Sequence, residues 1–74
     1  MTTETASDDD FRYRDSIVAL AIIDRALAKG KTKAEVAESL EVTAAAIDGW
    51  RKKRTSLRAA TARRVRRLER RLDK

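Results

Sequence analysis

Between Lys33 and Lys52 the chain reads KAEVAESLEVTAAAIDGWRK, and this stretch restricts the fold more than any other. Its apolar residues Val36, Ala37, Leu40, Val42, Ile47 and Trp50 fall where two short helices meeting at a tight turn bury them. Val36 and Leu40 stand one turn apart, and the small Ala37 lets the second helix approach closely. Thr32 and Glu35 have capping-box spacing for a first helix from Lys33 to Leu40. Thr43 is the cap candidate for the second, from Ala44 to about Lys53, with Ile47 and Trp50 on its inner face and Val42 beneath the turn. The pattern predicts a helix-turn-helix over residues 33–53.

Helices are expected on both sides of this pair. From Asp10 or Phe11 to Lys29 the residues favour helix, and Gly30 sits where a left-handed cap is wanted. Ile17, Val18, Leu20, Ile22 and Ile23 make this helix apolar nearly all round, which implies burial on two sides, the second covered by a partner subunit or by the last helix. Thr55 or Ser56 offers a cap for a long basic helix, residues 57–72, with Leu57, Thr61, Val65, Leu68 and Leu72 along one side. Trp50 is expected in the core. No proline interrupts these segments and none alternates as a strand would, so the chain reads as all-α with four helices, or five.

A chain of 74 residues has room for one core, placed at residues 11–74. Residues 1–10, MTTETASDDD, hold only Met1 and Ala6 as apolar groups and read as a disordered acidic tail, in the first place a solubilising one. There is no cysteine and no histidine, hence no disulfide, no thiolate or imidazole metal site and no base poised near neutral pH. Scattered carboxylates and hydroxyls without a glycine-rich phosphate loop do not assemble into an active site, so neither catalysis nor a cofactor is expected, and no small-molecule ligand is evident. The longest apolar stretch, Ile17 to Ile23, is too short to span a bilayer, and the acidic start is unlike a signal peptide. The expectation is a cytoplasmic protein without membrane contact.

Charge is distributed unevenly. Residues 1–10 carry −4, residues 11–50 balance to zero and residues 51–74 carry +10, which together give the net +6. A neutral body with a strongly basic end favours a polyanionic partner.

Ala37 at the crossing, Leu40 and Val42 flanking the turn, and Ile47 and Trp50 on the second helix resemble the phage-repressor and Cro-like helix-turn-helix family, also known from the xenobiotic-response-element type. The resemblance covers about Thr32 to Leu57, a third of the chain. Two features depart from it. Glu41 stands at the turn position where the family places a glycine with positive φ, and the loop after Trp50 has Lys53 and no proline.

The resemblance implies that the second helix enters the major groove of double-stranded DNA with Thr43, Ala44, Ala45, Asp48, Gly49 and Lys52 facing the bases. There Ala44 and Ala45 meet thymine methyls, Asp48 accepts from a cytosine amine, and Lys52 reaches a guanine edge or a phosphate. Arg51, Lys53 and Arg54, with Lys31 and Lys33, are the phosphate candidates. The small side chains leave much of the readout to DNA shape. The implied function is a bacterial or phage transcriptional repressor or regulator that occupies an operator and is nucleoid-associated while bound. Thr61, Val65, Leu68 and Leu72 follow the 4, 3, 4 spacing of a coiled-coil seam, so a homodimer is expected through Val65, Leu68 and Leu72, through Ile17 and Leu20 of the first helix, or both. Two other classes compete: an RNA-binding protein that reads with the arginine-rich last helix, and a phage or bacterial assembly or antitoxin-like adaptor.

Overall fold

The computed structural model describes residues 11–73, so the acidic segment 1–10 and Lys74 lie outside the described residues. The class is all-α. Among the described residues four whole helices follow one another as α1 (Ser16–Ala28), α2 (Lys33–Leu40), α3 (Ala44–Lys52) and α4 (Ala59–Leu72). No strand forms among the described residues, and no helix is long and apolar enough to cross a membrane.

α1 begins at Ser16, five residues later than the earliest sequence expectation for described residues, because Asp15 caps it by accepting from the Ile17 N–H at 3.0 Å. Phe11 and Arg12 are helical as expected, but the helix is broken by a turn at Tyr13 and Arg14, where the Arg14 N–H donates to the Phe11 carbonyl at 3.1 Å and Tyr13 is buried in the core. At the other end Gly30 takes φ 101°, its N–H donating to Leu27 and that of Lys31 to Ala26. These paired bonds satisfy the last carbonyls and stop the helix.

Thr32 and Glu35 form the capping box reciprocally: the Glu35 N–H donates to the Thr32 hydroxyl at 3.1 Å and the Thr32 N–H to the Glu35 carboxylate at 2.8 Å. α2 ends on Glu41 in the left-handed region (φ 56°, ψ 42°). The Val42 N–H then bonds back to the Ala37 carbonyl at 3.0 Å, which closes the turn and drops Val42 against the core. Thr43 caps α3 by accepting from the Ala46 N–H at 3.0 Å.

α1 is the hub, packed by α2, α3 and α4, and α2 also packs on α3 and α4. Ala19, Ile22, Ile23 and Ala26 of α1 meet Val36 and Leu40 of α2, Ile47 of α3, and Ala62, Val65, Leu68 and Leu72 of α4 in a single core. α4 packs on α1 within this core, while Ile17 remains exposed and Val18 and Leu20 are half-buried. This corrects the coiled-coil expectation: Val65, Leu68 and Leu72 are buried within the chain's own core and are not free to form a dimer seam. Their spacing suits a seam and a core alike, because both ask for one apolar stripe.

The last helix also starts later than expected, at Ala59, and Thr55 and Ser56 do not cap it. Those residues are tied elsewhere. The Ser16 N–H donates to the Thr55 carbonyl, the Thr55 N–H to the Ser16 hydroxyl, and the Leu57 N–H to the Arg14 carbonyl at 2.7 Å. The loop after α3 is thus stitched to the start of α1, and helix can resume only after Leu57 has entered the core. Trp50 is half-buried at the core's edge instead of inside it.

Candidate nucleic-acid interface

The turn at residues 41–43 sets α3 against the rest of the fold through one fully buried residue, Ile47. Everything opposite Ile47 faces outward. Thr43, Ala44, Ala45, Gly49 and Lys52 are exposed, and Asp48 is half-buried on the same helix. The six residues named from sequence therefore share one accessible face, broken only by the engagement of Asp48.

Asp48 accepts a hydrogen bond from Lys33, the first residue of α2. That bond holds the Asp48 carboxyl below its ordinary range, aided by the positive charges of Lys33, Lys52 and Arg51. One pair thus joins a residue named for base contact to one named for phosphate contact, and it braces the N-terminus of α2 against α3.

Two further phosphate candidates are also paired. Arg51 donates to Asp24 of α1 at 2.6 Å. Arg54 donates to both carboxylate oxygens of Asp15, at 3.2 and 2.6 Å, and this fork is the first cause of a lowered Asp15 pKa. Sequence reasoning missed Asp15 and Asp24 as partners, since separations of 39 and 27 residues leave no local signal. Lys31, Lys52 and Lys53 are exposed.

Gly49 lies on the outer face with ordinary φ, and a Cβ built there meets no atom within 4 Å. Internal packing does not require the glycine. Arg58 is a neighbour whose place was not apparent from sequence: exposed just before α4, it borders a groove of about 310 Å³ with Val42, Trp50, Ser56 and Thr61. Its signal is only its adjacency to Leu57, whose burial anchors the loop beside α3.

Among the described residues no cluster of three or more carboxylates, histidines or cysteines is placed to hold a metal ion. The arrangement offers a small-residue helix face, exposed lysines at its C-terminal end and a braced support beneath. Comparison of the chain with protein-family models, with curated proteins and with solved structures gives no match.

Proposed function

We propose that the chain binds double-stranded DNA with α3 in the major groove, as a bacterial or phage transcriptional regulator that occupies an operator. The observation that carries this reading is the outer face of α3. Ala44, Ala45 and Gly49 leave it low enough for close approach to base edges, and Lys52 and Lys53 end it with positive charge. Lys52, Lys53 and Arg58 contact phosphates, while Arg51 and Arg54 chiefly fasten α3 and its following loop to α1.

A homodimer completes the reading by doubling a small readout over an inverted repeat with half-sites about 34 Å apart. With Val65, Leu68 and Leu72 buried, the contact moves to α1. Ile17 is 55% exposed and Phe11 71% exposed, and they are the large apolar side chains the described surface leaves open, with Leu20 half-buried one turn beyond Ile17. Ile17→Glu converts the dimer to a monomer in sedimentation, with the helical content kept.

Selection of bound sequences from random duplex DNA at two salt concentrations tests the function. An enriched motif is expected, with affinity falling steeply with salt and the slope reduced by about 1 in Lys52→Ala or Lys53→Ala. No enrichment, together with unchanged slopes in both variants, would overturn the docking of α3.

A further inference from the structure

The basic third of the chain holds more arginine than one groove-entering helix uses. Arg63, Arg66, Arg67 and Arg70 of α4 by themselves border a shallow groove of about 190 Å³. They stand at i, i+3, i+4 and i+7, on the side turned away from the buried Ala62, Val65, Leu68 and Leu72. No residue of α3 borders this groove, so it is a surface separate from the α3 face.

Like charges at this spacing work against the helix that carries them. The buried side of α4 holds them together nonetheless. Guanidinium groups take phosphate oxygens two at a time, and such pairs are among the stronger hydrogen bonds. From Arg63 to Arg70 the helix rises about 10.5 Å, the axial span of about three phosphates on one strand. The stripe has no aromatic side chain on which an unpaired base would stack, which favours a duplex over a single strand.

We propose that this stripe grips the phosphate backbone of a second DNA duplex, so that the protein bridges two DNA segments. The inference rests on α3 as the reader of the first duplex.

The test is capture of a fluorescent duplex by the full chain on an immobilised duplex that carries a selected site. The variant R63Q/R67Q/R70Q is expected to bind the immobilised duplex within about twofold of the unsubstituted chain and to lose capture of the second by roughly tenfold or more, as three lost phosphate contacts imply. R63K/R67K/R70K, which keeps the charge, retains capture, and thermal unfolding checks that both variants fold. Capture unaffected by the glutamine substitutions would overturn the proposal, as would first-duplex binding without any capture. An RNA hairpin that displaces the second duplex far below the concentration needed for a DNA hairpin would overturn the assignment to DNA. Absence of binding to any duplex would instead remove the function proposed for α3, and this inference with it.

Discussion

Ser16 and Thr55 hold each other through two hydrogen bonds: the Ser16 N–H donates to the Thr55 carbonyl at 3.0 Å, and the Thr55 N–H donates to the Ser16 hydroxyl at 2.8 Å. Ser16 is fully buried, so its hydroxyl has little access to water in place of Thr55. Ser16→Ala strands the Thr55 amide and is expected to cost about 1–3 kcal/mol. Urea unfolding measures this, and an unchanged midpoint would show that water replaces the lost acceptor.

Gly49→Ala separates folding from binding. A glycine inside a helix costs about 1 kcal/mol relative to alanine, and a Cβ at 49 meets nothing. The variant should melt several degrees higher yet bind duplex DNA more weakly, because the added methyl stands on the face proposed to approach the bases. A variant that is more stable and binds equally well would place the DNA elsewhere.

Glu41 sustains a left-handed backbone at φ 56°. A side chain in that region costs about 1 kcal/mol that glycine does not. Glu41→Gly also removes an exposed ion pair with Arg64 at 3.3 Å, a contact of small worth. The net effect expected in thermal unfolding is stabilisation, and a drop in midpoint would mean that the Arg64 pair outweighs the backbone strain.

The bond between Lys33 and Asp48 assigns Asp48 a bracing role more directly than a base-reading one. Asp48→Asn releases Lys33 toward phosphate, so affinity for unrelated duplex should rise and the salt slope steepen by about 1. Loss of affinity confined to one selected sequence would instead identify Asp48 as a cytosine reader.

Acid weakens the fold through three carboxylates whose pKa values lie below the ordinary range. Asp15 is held there by Arg54, Glu35 by the Thr32 backbone N–H and Asp48 by Lys33. A depressed carboxyl binds fewer protons folded than unfolded, so its contribution is complete above its unfolded value, about 4, and is lost as pH falls through the lower folded value. The Tyr13 phenol behaves oppositely. Its hydrogen bond to Glu69 raises its pKa, so its contribution is complete below about 10 and lost at more alkaline pH. Urea midpoints should stay level between about pH 5 and 9 and fall on either side. A level profile down to about pH 2 would contradict the three acidic pairings.

Much of the architecture was legible because it is written in local spacing. The capping box at Thr32 and Glu35, the Thr43 cap and the Gly30 stop each involve groups a few residues apart, and each forms at the expected place. The outer face of α3 could be read as well, since Ile47 fixes which side is inward. The starts of α1 and α4 could not be read in this way. Besides the local Asp15 cap of α1, both are tied by Arg14, Ser16, Thr55 and Leu57 bonding across some forty residues, and nothing in either segment alone announces the other.

Alone, the sequence determined the helical class, the paired helices and the concentration of positive charge after Trp50, since periodicity, caps and composition act within a few turns of chain. Tertiary structure decided what those features are used for. Val65, Leu68 and Leu72 could line a core or a dimer seam until α1 was seen to cover them. Arg51 and Arg54 looked equivalent to Lys52 and Lys53 until Asp24 and Asp15 were brought beside them. An apolar stripe or a cation has no destination of its own, and only the packing of distant segments supplies its partner.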